Sequence, residues 1–187
     1  MPGREQQAQD ALAQYFSQNG MLLCNQSAQL PYLELVGGDW NAIVSLMEGG
    51  NAFYSRFYKN RVTYLSPDLY YALKPHRRRL ERLDANSMRL LAFLQAAGEA
   101  TTEQMQRQCM LEKKAQTEAL NQLVYELFVT VLRRDVTRNE TWCTFAYGLS
   151  ERWEAKQPRE NNATMVGEAE KILLRQLSQK QAVALLR

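Results

Sequence analysis

Basic side chains are the residues whose types and spacing best suit chemistry in this sequence, and they fall into three groups. Arg77, Arg78 and Arg79 follow His76, with Arg82 close behind. Lys113, Lys114, Thr117 and Asn121 recur at spacings that place them on one side of a helix. Arg133, Arg134 and Arg138 surround a polar stretch, Thr137-Arg138-Asn139-Glu140. Lysine and arginine neutralise phosphates, while Asn and Thr hydrogen-bond base edges. Each neutralised phosphate releases counterions, so such a surface would bind nucleic acid in a salt-dependent way. Every group also has a plainer reading. The arginine run could pair with Glu81 and Asp84, the helix residues could form a solvated face with Glu118, and the strand arginines could block edge-to-edge pairing.

Other chemistries are poorly supplied. His76 is the only histidine, which excludes a multi-histidine metal site and any Ser-His-Asp arrangement that does not use it. Cys24, Cys109 and Cys143 are far apart and lack metal-ligand spacing, so they read as reduced packing residues. Asp39, Glu48 and Asp68 are scattered, and no phosphate-binding or dinucleotide-binding glycine pattern occurs. No catalytic residue, metal site or cofactor is therefore assigned. The aromatic residues Trp40, Phe53, Tyr54, Phe57, Tyr58, Tyr64, Tyr70 and Tyr71 could stack on bases. Several fall at helical spacing with aliphatic partners, which favours core packing.

The elements that must position these groups follow from pattern and capping. A chain of 187 residues with 45% hydrophobic residues can bury a core without disulfides. A formal charge of +3 means that any nucleic-acid site must come from local clustering. Met1 to Asp10 lacks the apolar core of a signal peptide, and no run approaches the roughly 20 apolar residues of a membrane span. A cytoplasmic protein without membrane contact is expected.

Arg4 to Ser17 reads as an amphipathic helix and Met21 to Cys24 as a short strand. Asp39 is placed to cap a helix over Trp40 to Glu48. Ala52 to Tyr58 reads as a second short helix and Arg61 to Leu65 as a strand. Ser66-Pro67 then starts another helix, which Pro75 ends. A composition shift near Leu83 marks the main internal boundary.

Beyond that boundary the pattern predicts helices starting near Asp84, near Thr101 and at Glu112, the last reaching Phe128. Strand-like segments Val129 to Val136 and Thr141 to Tyr147 flank the polar turn. Helix, helix, helix, strand, turn, strand is the order of a winged helix-turn-helix, whose third helix normally enters the major groove. Gln157 to Thr164 reads as a linker. Two short helices follow, Met165 to Leu177 and one capped by Ser178, and their apolar faces need a partner in the chain or in a second copy.

Two stretches carry a family resemblance. One is Phe57-Tyr58-Lys59-Asn60-Arg61-Val62-Thr63-Tyr64-Leu65-Ser66-Pro67-Asp68-Leu69-Tyr70. The other is Asn139-Glu140-Thr141-Trp142-Cys143-Thr144-Phe145. With Ala169-Glu170-Lys171-Ile172-Leu173 and Ser178-Gln179-Lys180-Gln181, they resemble the bacterial AlkZ/YcaQ-like DNA glycosylase family, in particular its shorter AlkZ-related members. The resemblance spans roughly Ala52 to Arg187. It implies winged-helix architecture and association with DNA. Full-length members excise alkylated or crosslinked bases, with a signature of two glutamines flanking an apolar residue before an aspartate. Gln7-Ala8-Gln9-Asp10 has those letters, but it sits in a Gln-rich helix without a preceding strand, and it is not assigned as a catalytic site.

The expected architecture is mainly α with small β-hairpins, in the α+β class. Residues 1–82 form a helical region with short strands, a candidate degenerate winged-helix unit. Residues 83–155 form a winged helix-turn-helix, and residues 156–187 a linker with C-terminal helices. The expected function is double-stranded DNA binding, through Lys113, Lys114, Thr117, Asn121, Arg134, Arg138 and the Arg77, Arg78, Arg79 and Arg82 cluster. A glycosylase acting on alkylated bases and a protein-interaction module remain alternatives. A homodimer through the C-terminal helices is a further expectation.

Overall fold

The computed structural model describes residues 3–139, 142–157 and 167–186, and the side chains of 137–139 and 142 lie outside that description. The chain opens with α1 (Arg4–Gln18), which buries Ala8, Leu12 and Phe16 at helical spacing. β1 (Met21–Leu23) follows. Then comes α2 (Trp40–Glu48), whose first turn is closed by Asp39, its carboxylate accepting from the Ala42 amide at 2.8 Å. α2 packs against α1 along its buried Ile43, Val44 and Met47 stripe.

Next come β2 (Phe53–Ser55), β3 (Thr63–Leu65) and α3 (Pro67–Leu73), the last capped by Ser66 with Pro67 in the first turn. The expected helix over Ala52 to Tyr58 is not formed. β2 pairs antiparallel with β3 instead, Tyr54 opposite Tyr64. All three residues of β2 are buried, so this strand shows no alternation by which a period of two could be read. Aromatic residues favour such a pleated, packed position, and Ser55 fixes the pair by donating its hydroxyl to the Thr63 carbonyl at 2.9 Å. β1 adds to the other edge of β3, giving a three-stranded antiparallel sheet in the order β1-β3-β2.

The second half contains α4 (Ala85–Ala97), β4 (Glu99–Thr101), α5 (Thr102–Cys109) and α6 (Lys113–Tyr125). The long strands β5 (Val129–Asn139) and β6 (Trp142–Leu149) complete a second antiparallel sheet, order β4-β6-β5. The predicted succession of three helices and two strands is present. β4 was not anticipated, because three residues between a helix-ending Gly98 and a helix cap carry no periodicity. Thr101 starts α5 through a reciprocal capping box with Gln104. α6 stops three residues before the predicted end, since Leu127 takes a left-handed φ of 61° and turns away into a different part of the core.

A short helix, α7 (Ser150–Glu154), follows β6 and was also unanticipated. The last elements are α8 (Glu168–Leu173) and α9 (Gln179–Leu186), and the first residues of the expected Met165 to Leu177 helix lie outside the described residues. α8 covers α3 of the same chain, burying Ala169, Ile172 and Leu173. Gln176 ties this end to the start of the chain. Its amide oxygen accepts from the Gly20 and Met21 amides at 3.0 and 2.8 Å, and its nitrogen donates to the Tyr15 hydroxyl at 2.7 Å. Gly20 has to be glycine here, because a Cβ would lie 2.6 Å from Ile172.

The core consists of two apolar clusters, and each draws on residues from both sides of position 83. The first joins Leu12, Ile43 and Tyr64 to Leu90, Leu123 and Val131. The second joins Phe53, Phe57 and Tyr70 to Leu127, Trp153 and Leu173. The molecule is thus an α+β protein with two small antiparallel sheets.

Candidate nucleic-acid interface

α6 holds four of the residues singled out in the sequence, and the packing of its Ala119, Leu120, Leu123 and Val124 face decides which way they point. Lys113 and Thr117 are exposed and Asn121 is half-buried. These three line one cleft of about 460 Å³. Its opposite wall is Tyr54 of β2 and the adjoining Arg56, with Tyr147 of β6 beside them. The Thr117 hydroxyl donates back to the Lys113 carbonyl at 2.8 Å. Lys114 lies off the cleft, 4.0 Å from Glu118 one turn on, in a solvent-exposed pair of little energetic weight.

The arginine run is mostly engaged inside the protein. Arg77 is buried, with only 3% of its side chain exposed. Its guanidinium donates to the Leu185 carbonyl at 2.7 Å, sits 3.7 Å from Glu126 and lies against the Phe57 and Tyr125 rings. Arg78 binds Glu151, lies 4.0 Å from Glu154 and covers the Phe128 ring. Arg82 reaches Glu126 at 3.6 Å. Arg79 is exposed. These residues do not share the cleft of Lys113. Arg77 and Arg78 line a separate pocket with Leu80, Phe128 and Glu151.

The strand arginines are paired as well. Arg134 grips Glu48 of α2 with its backbone amide and its guanidinium, at 2.7, 3.3 and 3.1 Å. Arg133 holds Glu99 at 2.7 Å and approaches Asp135 at 3.6 Å. The side chain of Arg138 lies outside the described residues. The Arg134–Glu48 contact fixes β5 onto α2, which is why the local sequence around the strands does not announce it.

Burial pushes the Glu48 carboxyl up, but the hydrogen bonds and charge of Arg134, with help from Lys156, outweigh it and hold the group below its ordinary 4.5. A carboxylate with a depressed pKa in the folded state stabilises the protein above its unfolded value, and that contribution disappears as pH falls through the folded value. Glu48→Gln is therefore expected to be less stable than wild type at neutral pH. The difference should close as the medium is acidified below that ordinary value and through the lower folded one. Thermal melts of both proteins across that window check it. A constant gap at all pH values would assign the loss to packing.

Several residues of the cleft were not singled out for it. Arg56, next to β2, lines the same cleft as Lys113 although the two are far apart in the chain. Tyr54 and Tyr147 were read as core or strand residues. Their rings meet edge to face at a centroid distance of 6.2 Å, and burial pushes both hydroxyls above the usual tyrosine range. Gln116, Gln106, Thr102 and the carboxylate of Glu103 complete the polar lining. Gln116 is buried and donates to the Thr102 carbonyl at 2.6 Å, bracing α5 on α6. No signal in the sequence could have found this set, because its members come from β2, α5, α6 and β6.

Gln7, Gln9 and Asp10 lie on α1, where Gln9 donates to Glu5 at 3.4 Å and Gln6 to Asp10 at 2.9 Å. No group of three or more potential metal-ligating side chains occurs among the described residues, and none of their helices is long and apolar enough to cross a membrane.

Fold and cleft together define an α+β protein with a polar and aromatic groove beside an exposed helix face. The chain belongs to the AlkZ-related family, whose sequence profile matches residues 34–184. That membership relates it to the DNA glycosylases of base repair. The match begins after Gln7-Ala8-Gln9-Asp10 and takes in every element from α2 to α8, with most of α9. No curated protein and no solved structure matches the chain.

Proposed function

We propose that this is a winged-helix DNA-binding protein, in which α4 to β6 form the winged helix-turn-helix. The observation that carries the reading is the exposed face of α6, where Lys113 and Thr117 stand opposite Arg56. Neither Lys113 nor Arg56 makes an ion pair among the described residues, in contrast to Arg77, Arg78, Arg133 and Arg134. Cations left without an acid are available to phosphates. Family membership supplies the class of partner, since related proteins act on DNA.

Duplex binding measured over a salt series tests the proposal. Affinity should fall steeply with salt, and Lys113→Ala or Arg56→Ala should each flatten the log–log slope by about 0.9, the change for one lost phosphate contact. An absence of duplex binding at low salt would sink the reading and favour a winged-helix protein-interaction domain.

A further inference from the structure

We propose that the cleft beside α6 holds one unstacked nucleotide of a DNA strand, a reading that rests on the DNA-binding function above. The first argument is shape. A helix with its side chains is roughly 10–12 Å across and fills a major groove about 12 Å wide. The polar face of α6 is instead one wall of a cleft, with Tyr54 and Arg56 standing across from it. Exposure falls along that face. Lys113, Thr117 and Glu103 form an exposed rim, Asn121 is half-buried, and Gln116 and Val124 are 4% and 2% exposed. Base-pair edges stacked in a duplex do not reach such a floor. A single nucleotide swung out of the stack does, and a space of about 460 Å³ lies within the roughly 300–1,000 Å³ of small-ligand sites.

The second argument is the chemistry of the lining. Tyr147 is half-buried and, with Tyr54 at a centroid distance of 6.2 Å, leaves part of an aromatic surface open to the cleft on which a base can stack. Asn121 and Gln106 carry amides, which both donate and accept and so suit the Watson–Crick edge of a base. Lys113 at the rim and Arg56 on the far wall lie where the flanking phosphates would pass. Arg56 is already held in place, its Nη1 donating to the Asn60 carbonyl at 2.9 Å. Aromatic, amide and cationic groups, with the single carboxylate of Glu103 at the rim, thus converge on one concavity that suits a nucleotide.

The test compares a fully matched duplex with the same duplex carrying one extra, unpaired thymidine. A matched base must be unpaired and unstacked before it enters the cleft, whereas the bulged one is already loose. The protein should bind the bulged duplex at least about tenfold tighter in a fluorescence anisotropy titration. Asn121→Ala and Gln106→Ala should bring that ratio close to one. Lys180→Ala, which removes one charge on α9, should retain it.

A second measurement does not depend on any variant. A 5-iodouracil placed at the bulge should photo-crosslink to Tyr147 or Tyr54, as mapped by mass spectrometry. Equal affinity for the two duplexes would overturn the cleft proposal while leaving duplex binding in place. A preference that survives in both amide variants, with cross-links only outside the cleft, would overturn it in favour of recognition of the bent duplex. Binding to neither duplex would overturn both readings.

Discussion

Arg77→Ala is expected to lower the unfolding free energy by about 3–5 kcal/mol, the cost of removing one partner from a buried ion pair. Glu126 is buried beside it, and its second carboxylate oxygen has no hydrogen bond, with Arg82 at 3.6 Å as an ionic neighbour only. Without Arg77 the Glu126 carboxylate keeps Arg82 at 3.6 Å but loses the more deeply buried of these two cations. The Leu185 carbonyl loses its donor, and the Phe57 and Tyr125 rings lose the guanidinium between them. The bond to Leu185 also joins α9 to the segment after α3, so the variant should loosen the C-terminus first. Urea denaturation at unchanged slope would report the loss as a lower midpoint. The double variant Arg77→Met with Glu126→Leu should recover most of it, because an apolar pair of similar volume carries no desolvation penalty. A single variant within about 1 kcal/mol of wild type would contradict the buried-pair account.

Trp153→Ala is expected to cost about 4 kcal/mol, within the range for deleting a buried aromatic side chain. Trp153 is 2% exposed and sits edge-on to Phe53 and Tyr70, with ring centroids 5.1 and 5.0 Å away. Its indole nitrogen donates to the Ala52 carbonyl at 3.0 Å, which pins α7 to the entry of β2. The smaller change Trp153→Phe keeps most of the volume and removes that bond, so it should cost about 1–2 kcal/mol. Thermal melts of the two variants separate the packing and hydrogen-bond parts. Equal losses would mean that the hydrogen bond, not the ring, holds α7 in place. Because Trp153 belongs to the cluster that also holds Leu127 and Leu173, the alanine variant should weaken both halves of the chain together.

Local order was legible wherever a short-range rule applies. Asp39 and Ser66 each cap the helix they were expected to cap, because an N-cap needs only its own side chain and an amide three residues on. The stripe Ile43, Val44 and Met47 on α2 and the stripe Leu120, Leu123 and Val124 on α6 follow from a 3.6-residue period. The family was legible too, from motifs that the profile match now spans. β2 was not, since a strand buried on both faces has no period to show. The helix over Ser150–Glu154 was hidden by its length, which is too short for periodicity to register.

The sequence by itself determined the class of the fold, the capped helix starts, the succession of α4, α5, α6, β5 and β6, and the family. Each of these depends on residues a few positions apart. The tertiary structure alone decided which cations are left for a ligand. Arg77, Arg78 and Arg134 look alike on paper, yet each meets an acid from a distant segment: Glu126, Glu151 and Glu48 respectively. Lys113 and Arg56, 57 positions apart in the chain, line the same cleft, and neither makes an ion pair among the described residues. The physical reason is that a charge is satisfied through space over a few ångströms, and sequence distance does not measure that separation.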